Sequence, residues 1–328
     1  MNPFTAYRIF DENGRISGRL TQTTLDGTSP GDVVIKAAYS SVNYKDALAA
    51  TGAGRILRRF PLTGGIDVAG AVVSSDDGRF NPGDLVLVTG YDLGVAHDGG
   101  FAEYVRVPGD WVVPLPEGLT PRHAMTLGTA GFTAGLSIVE LERNDLKPGA
   151  GPVVVTGATG GVGSVAVAAL AALGYQVTAV TGKTAEHEYL RSLGAAEILP
   201  REAIPTDARP LGKSTWAGAV DAVGGAVLAG LLKTMNYGAA VANSGLTAGT
   251  ELHTTVLPFI LRGVKLLGID SVFCPMARRR EVWARLAAAV RPSTLETMAQ
   301  EIPMAELPVA FDTLLRGAAR GRFVVRIA

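Results

Sequence analysis

The chain carries Thr156-Gly157-Ala158-Thr159-Gly160-Gly161-Val162-Gly163-Ser164, a glycine-rich turn between its strongest strand and its strongest helix. The preceding residues, 152–156, have the composition of a buried strand, and the alanine-rich segment 162–173 predicts a helix. Glycines at such a turn let a pyrophosphate approach the backbone and let the helix pack closely on the strand. A second strand at 176–180 gives βαβ spacing, so the loop predicts nucleotide binding rather than a ligand-free turn.

The rest of the chain divides into two regions that differ in the length and spacing of their predicted strands and helices. Strands at 218–221 and 239–242 with a helix at 227–235 extend the βαβ pattern into a parallel sheet. Before about residue 120, short β-branched segments alternate with tight-turn signals and predict a mostly antiparallel, barrel-like β domain. The amphipathic helix 307–315 and the strand 323–327 are expected to return to that first domain. We therefore predict an α/β protein in which residues 1–122 and 271–328 form the β-barrel domain and 123–270 the doubly wound domain.

Composition limits the class of protein and its partners. The 328 residues suggest about two domains, and 30 basic and 30 acidic side chains cancel, which argues against a nucleic-acid partner. The single cysteine, Cys274, excludes an intramolecular disulfide and a cysteine-rich zinc site. The N-terminal residues do not resemble a signal peptide, and the apolar stretch 162–175 is shorter than the roughly 20 residues that span a bilayer. We expect a cytoplasmic protein with no membrane partner.

The end of the second strand indicates which dinucleotide binds. NAD enzymes usually carry an acidic residue there for the ribose 2′-hydroxyl, whereas this chain reads Thr181-Gly182-Lys183-Thr184. An ammonium and a hydroxyl can receive a 2′-phosphate, so the segment favours NADP over NAD, although Lys183 also fits a solvated helix start. The loop spacing is shared with short-chain dehydrogenases, but some 150 residues precede it and no tyrosine has a lysine four positions later.

Several segments together resemble one family. Asn43-Tyr44-Lys45-Asp46-Ala47-Leu48, Gly64-Gly65-Ile66-Asp67 and Gly268-Ile269-Asp270-Ser271-Val272 are similar to the acrylyl-CoA reductases, the YhdH/AcuI-like group of zinc-independent medium-chain dehydrogenase/reductases in the quinone oxidoreductase superfamily. The resemblance implies a GroES-like catalytic domain, a Rossmann domain, a homodimer and NADPH-dependent reduction of acrylyl-CoA to propanoyl-CoA. It also implies cofactor contacts at Tyr44, Gly160, Gly161, Val162, Gly163, Thr181, Gly182, Lys183, Arg201, Leu246, Ile260 and Ser271. At residues 316–320 the match weakens, which leaves the last cofactor contact unassigned.

The resemblance also bears on the chemistry. Zinc relatives often carry Gly-His-Glu where this chain has Gly65-Ile66-Asp67, and its four histidines lack ligand spacing, so we expect no metal. Hydride addition to an enoyl thioester places negative charge on the thioester oxygen and requires a proton at the α-carbon. Tyr44 is the candidate catalytic residue, as a proton donor or as a packing contact to the nicotinamide, with water as the alternative acid. Asn43 and Asp46 are candidates for orienting its loop.

Three readings of function stay open from the sequence. The first is an NADPH-dependent enoyl-CoA reductase with an acyl-CoA thioester as substrate. The second is an NADPH-dependent quinone oxidoreductase, which shares the fold and the cofactor. The third is a protein that binds NADPH without turnover, because binding needs only the loop. Arg278-Arg279-Arg280 is either a site for the 3′-phosphate of coenzyme A or a solvated helix face.

Overall fold

The computed structural model describes residues 2–207 and 209–327. Its strands are β1 (Phe4–Glu12), β2 (Arg15–Thr23), β3 (Val33–Ser41), β4 (Leu62–Thr63), β5 (Asp67–Ser75), β6 (Leu85–Thr89), β7 (Tyr104–Val107), β8 (Val113–Pro114), β9 (Val153–Thr156), β10 (Val177–Val180), β11 (Glu197–Leu199), β12 (Trp216–Asp221), β13 (Met235–Asn243), β14 (Lys265–Gly268), β15 (Ala299–Pro303) and β16 (Arg322–Arg326). Its α-helices are α1 (Tyr44–Thr51), α2 (Pro121–Arg143), α3 (Gly161–Ala172), α4 (His187–Ser192), α5 (Gly225–Thr234), α6 (Leu257–Arg262), α7 (Met276–Ala289), α8 (Pro292–Met298) and α9 (Leu307–Leu315).

The glycine-rich turn belongs to a parallel sheet in the order β11-β10-β9-β12-β13-β14. Counted from β9, this is the order 3-2-1-4-5-6 of a doubly wound sheet, which confirms the prediction. Val153, Val154 and Val155 are all fully buried, as expected for a strand covered by helices on both faces. The strand order reverses between β9 and β12, and ligands of such sheets bind outside the carboxyl ends of the strands at that point. The turn leaves β9 at this position.

The first part of the chain forms two mainly antiparallel sheets. The smaller has the order β2-β1-β4, and the larger has the order β15-β16-β3-β5-β6-β8, with β7 also paired to β3. The C-terminal strand β16 lies antiparallel to β3. The core of these two sheets and the helices packed on them includes Ile9, Ile35, Val68, Phe101 and Phe311, each nearly or fully buried. The last strand therefore completes the first sheet system, although it follows the second one in the chain.

The chain divides into two compact units, 1–129 with 272–287 and 291–328, and 130–271 with 288–290. The predicted boundaries lie at 122/123 and 270/271. The first observed boundary falls later because Gly128, at φ 52° and ψ −158°, interrupts α2 inside its length. The residues of α2 up to Thr129 group with the first unit, and those from Ala130 onward with the second.

Helix α2 was not predicted from the sequence. By length and composition it could cross a bilayer, but 89% of its most apolar window is buried. Burial of this extent is typical of a core helix in a folded domain, so we assign α2 to the protein interior.

Candidate dinucleotide-binding and catalytic sites

The turn between β9 and α3 has the geometry of a phosphate loop. Gly157 adopts φ 59°, which turns the chain sharply, and Gly160 is the N-cap of α3. A Cβ at Gly163 would lie 2.3 Å from the Gly157 carbonyl oxygen and 2.6 Å from the Ala158 Cα, so only glycine fits. The first N–H groups of a helix have no partner within the helix and carry its positive dipole end. The geometry at the predicted residues 160–163 is the one with which helix starts bind anions, and their role in cofactor binding stays a prediction.

A buried carboxylate organises the strand ends beside this loop. Asp221, at the end of β12, is fully buried and accepts hydrogen bonds from the Thr156 hydroxyl, the Gly224 N–H at 2.9 Å and the Asn243 side-chain amide at 2.8 Å. It thus ties the ends of β9, β12 and β13 together. The sequence reading missed it, although an aspartate that ends a strand before Gly224-Gly225 was an available signal.

Thr181, Gly182, Lys183 and Arg201 come together at the end of β10. The Lys183 N–H donates to the Thr181 hydroxyl at 3.0 Å, and a Cβ at Gly182 would lie 2.9 Å from the Arg201 Nε. Burial lowers the pKa of Lys183; Glu186 opposes this change and the Arg201 charge adds to it. Because two neighbouring cations repel each other, an anion between them would be favoured, so this strand end is a candidate anion site. The predicted set is therefore assembled in space.

The other predicted cofactor contacts are spread over the second unit. Leu246 follows β13 and lies beside Gly224, since a Cβ at Gly224 would be 3.2 Å from the Leu246 Cα. Ile260 lies on α6 and is 69% exposed, and Ser271 is half-buried just after β14. Their roles in binding stay predictions.

Tyr44 is the first residue of α1 and is 38% exposed. The backbone around it is held by the buried carboxylate of Asp46, which accepts from the Asn43 N–H at 2.8 Å and from the Ile66 N–H at 3.0 Å. The first bond is the backbone half of a capping box, which fixes the helix start. The phenol is therefore exposed on a firmly anchored turn.

A second carboxylate, Asp67, lies at the centre of a buried polar cluster. It is fully buried and accepts from the Ser41 hydroxyl at 2.6 Å, from the Asn43 amide at 2.7 Å, and from the Thr129 N–H at 2.9 Å. The Arg322 guanidinium lies 3.8 Å away and donates to the Ser41 hydroxyl at 2.8 Å. The cluster ties β3, β5, β16 and the start of α1 to one another.

Burial shifts the pKa values of two charged side chains in and beside this cluster. Desolvation, and then repulsion from Asp67, raise the pKa of Asp46 to about 7, against the pull of its hydrogen bonds with Asn43 and Ile66. Desolvation lowers the pKa of Arg322, although Asp67 and Asp46 both favour its charged form. A titratable group with a pKa near neutrality, two residues from an exposed tyrosine, is the pattern of a functional site.

The three arginines at the start of α7 do not form a common site. Arg279 is fully buried and donates to the Thr89 carbonyl at 2.8 Å and to the Val272 carbonyl at 3.0 Å. Its guanidinium also lies 4.6 Å from the centre of the Tyr91 ring. Because these contacts occupy it, the reading of Arg278-Arg279-Arg280 as a triple phosphate site is wrong.

Comparison with known proteins gives the family. The model "Alcohol dehydrogenase GroES-like domain" matches residues 29–117, and "Zinc-binding dehydrogenase" matches residues 161–288. The chain is 52% identical to the putative quinone oxidoreductase YhfP of Bacillus subtilis over 90% of each chain. It is 49% identical to the acrylyl-CoA reductase AcuI of Ruegeria pomeroyi over 97% of this chain and 96% of that one. The structure of the YhdH oxidoreductase from Salmonella enterica in complex with NADP matches with a TM-score of 0.97 at 49% identity, over 99% of this chain and 100% of that chain.

A GroES-like β unit joined to a doubly wound sheet with a phosphate loop defines a dinucleotide-dependent oxidoreductase. The chain belongs to the medium-chain dehydrogenase/reductase family, in its YhdH/AcuI-like group. Its cofactor is NADP(H), in agreement with the cations at the end of β10.

The zinc in the name of one family model does not suit this donor set. Residues 2–207 and 209–327 contain no cluster of three or more His, Cys, Asp or Glu side chains that could hold a metal ion. Asp67 directs its oxygens to hydroxyl, amide and backbone donors. Zinc prefers thiolate and imidazole ligands, of which the whole chain offers one cysteine and four histidines. The residues present do not fit zinc, and we derive no step through a metal.

Proposed function

We propose that this enzyme reduces the C=C bond of acrylyl-CoA to give propanoyl-CoA, with NADPH as the hydride donor. The observation that carries the proposal is the 49% identity, over nearly the whole chain, to a protein named acrylyl-CoA reductase. A second relative, from Escherichia coli, is named a probable acrylyl-CoA reductase and is 51% identical over 90% of this chain. The exposed tyrosine and the cations at the end of β10 suit this reaction.

The cofactor residues have separate tasks in this proposal. The helix start at Gly161, Val162 and Gly163 binds the pyrophosphate through its N–H groups, and Gly160 is the N-cap, whose own N–H donates to the Gly157 carbonyl. Thr181, Gly182, Lys183 and Arg201 bind the 2′-phosphate, because two neighbouring cations gain most from a dianionic partner. Tyr44 contacts the nicotinamide. Leu246, Ile260 and Ser271 supply the further cofactor contacts that the family resemblance implies.

The chain's own groups then handle the charge and the proton. Bound NADPH supplies the hydride that adds to the β-carbon of the thioester. The electron pair of the C=C bond moves toward the thioester carbonyl, and the α-carbon takes up a proton. We assign this proton transfer to the Tyr44 phenol. Asn43 and Asp46 hold the turn that carries it, so the phenol needs little reorganisation when it reacts.

Zinc independence, a homodimer and a cytoplasmic location complete the proposal, with no nucleic-acid or membrane partner. The sequence supports the absence of zinc, because Ile66 occupies the position at which zinc relatives often carry a histidine ligand. Strand β14 is at the edge of the parallel sheet, which supports pairing with a second subunit. Metal analysis of the purified enzyme, light scattering and cell fractionation test these three statements.

One assay tests the activity and its nearest rival. The relative named a putative quinone oxidoreductase keeps quinones as the second candidate substrate. NADPH oxidation is followed with acrylyl-CoA, crotonyl-CoA and a benzoquinone in parallel, with NADH as the control cofactor. We expect the fastest turnover on acrylyl-CoA with NADPH. Turnover on the quinone alone would assign the enzyme to the rival class.

A further inference from the structure

Since Arg279 is occupied inside the first unit, the phosphates of a coenzyme A substrate need cations elsewhere. The segment 52–61 between α1 and β4 contains Arg55, Arg58 and Arg59, and we name it the arginine loop. From residue 47 to residue 66 the chain has no aspartate or glutamate, so no acidic neighbour in sequence neutralises these charges. The loop is therefore the strongest uninterrupted positive segment next to the Tyr44 helix.

The backbone of the arginine loop is fixed to the segment 95–98. The Arg58 N–H donates to the Val95 carbonyl at 3.0 Å. The Arg59 side chain donates to the Ala96 carbonyl at 3.0 Å and to the buried Asp98 carboxylate at 2.9 Å. Arg59 thus anchors the loop, so binding of a ligand would not require the free energy of ordering it.

The other two guanidinium groups remain accessible. Arg55 is exposed and forms no hydrogen bond or ion pair with residues 2–207 or 209–327. The Arg58 side chain is 63% exposed, and its 3.4 Å pair with Asp92 lies in water, where such pairs contribute little. Phe60 follows with 39% exposure and offers a ring on which a base can stack. Cations and an exposed aromatic ring within one short segment of chain suit a nucleotide.

The distance from the reacting group also suits this ligand. Helix α1 runs from Tyr44 to Thr51, which is about 12 Å for eight residues. The arginine loop begins directly after it. The phosphopantetheine arm of coenzyme A is longer than this helix, so a thioester held at Tyr44 can extend its phosphates to the loop.

We propose that the arginine loop binds the phosphates of the coenzyme A half of the substrate, with Arg55 and Arg58 as ligands and Phe60 stacked on the adenine. This inference rests on the proposed function, because it gives an acyl-CoA thioester its second contact. It assigns recognition of the coenzyme A half to residues outside the arginine cluster of α7.

Kinetics with a full and a truncated thioester test the assignment. In Arg55→Ala/Arg58→Ala, KM for acrylyl-CoA should rise about tenfold or more, because charge-assisted contacts are lost. KM for acrylyl-N-acetylcysteamine, which has no phosphate, should not change. Arg280→Ala is the matched control, an exposed arginine of the same unit, and should behave as wild type. An equal rise with both thioesters, no rise at all, or a rise only in Arg280→Ala would overturn the assignment.

Direct binding separates this inference from the proposed function. Coenzyme A, 3′-dephospho-coenzyme A, pantetheine and inorganic pyrophosphate are titrated by calorimetry into the full chain with NADP⁺ present. We expect wild type to bind coenzyme A most tightly, 3′-dephospho-coenzyme A less tightly and pantetheine least tightly. We expect the double variant to bind these three ligands with equally low affinity. If wild type binds coenzyme A but does not reduce acrylyl-CoA, the proposed function is wrong and the phosphate site at the arginine loop is retained. No binding of coenzyme A, or pyrophosphate binding as tight as coenzyme A, would defeat the site.

Discussion

The Asp46 carboxyl makes the stability of the fold depend on pH. Its pKa is raised to about 7, first by burial and then by the neighbouring Asp67 charge. An unfolded aspartate titrates near ~3.9, so between about pH 4 and pH 7 the folded state binds a proton that the unfolded state lacks. The free energy of unfolding therefore falls as pH rises through this window. We expect Asp46→Asn to abolish this fall, as measured by urea unfolding at pH 5 and pH 8.

The size of the effect has an upper bound of about 4 kcal/mol, since one pKa unit corresponds to about 1.4 kcal/mol. Asp110→Asn is the control, because the Asp110 side chain is 84% exposed, and it should keep the pH dependence of wild type. If Asp46→Asn and wild type lose the same free energy between the two pH values, another group is responsible.

The Tyr44 phenol is the group to which we assign proton donation. Tyr44→Phe keeps the ring and removes the hydroxyl, so we expect kcat on acrylyl-CoA to fall about 100-fold, within the range of general acid catalysis. KM for NADPH should change little, because the ring still packs. Stopped-flow NADPH oxidation measures both, with Tyr237→Phe, 76% exposed on β13, as control. Wild-type turnover in Tyr44→Phe would leave a packing role and make water the acid.

We assign the choice between the two dinucleotides to Lys183 and Arg201. The structure of Bacillus subtilis YhfP, with a TM-score of 0.97 at 48% identity, has NAD bound in that protein. We expect Lys183→Ala/Arg201→Ala to lower kcat/KM for NADPH at least tenfold and to leave the value for NADH unchanged, because only the 2′-phosphate loses its contacts. Arg191→Ala, on the surface of α4, is the control. Parallel losses with both cofactors would mean that the pair supports the loop instead.

At the scale of elements, helix α3 depends on one position for its packing. Gly163→Ala would place a Cβ 2.3 Å from the Gly157 carbonyl oxygen, so either the helix or the turn has to move. We expect a loss of about 1–3 kcal/mol in stability, as for other overpacked sites, and weaker NADPH binding. Thermal unfolding with and without NADPH measures both. Gly78→Ala, where nothing lies within 4 Å of the added carbon, should leave both unchanged.

The same elements show what sequence periodicity can predict. The strand β9, the turn and α3 were predicted within a residue, because a short β-branched run and a longer alanine-rich run on either side of a glycine-rich turn differ in length and composition. Helix α2 was not predicted, and Gly128, Gly131 and Gly135 lower the helix propensity of its sequence. In the structure Gly128 does interrupt the helix, and burial stabilises the remainder despite its glycines.

At the scale of the whole molecule, the polar cluster around Asp67 could not have been derived from local pattern. Arg322 and Ser41 are 281 positions apart, yet their side chains share a hydrogen bond. The sequence did indicate the Asn43 to Asp46 segment, since Asn and Asp commonly orient a turn through the backbone. It could not show that one carboxylate would gather donors from β3, the start of α1 and α2, because such contacts depend on the tertiary fold.

The edge of the parallel sheet carries the last prediction, that of a homodimer. Strand β14 pairs with β13 on one side and with no other described strand. Nearby apolar side chains are exposed: Leu266 by 37%, Leu261 by 54% and Val256 by 64%. An apolar sheet edge of this kind is normally covered, and two-fold pairing with a second copy covers both edges at once.

Leu266→Asp places two charges in that contact and should give a monomer in size-exclusion chromatography with light scattering. Val309→Asp, at a position of α9 that is 67% exposed, should stay dimeric. A monomeric wild type would contradict the pairing, and a dimeric Leu266→Asp would place the contact on another surface.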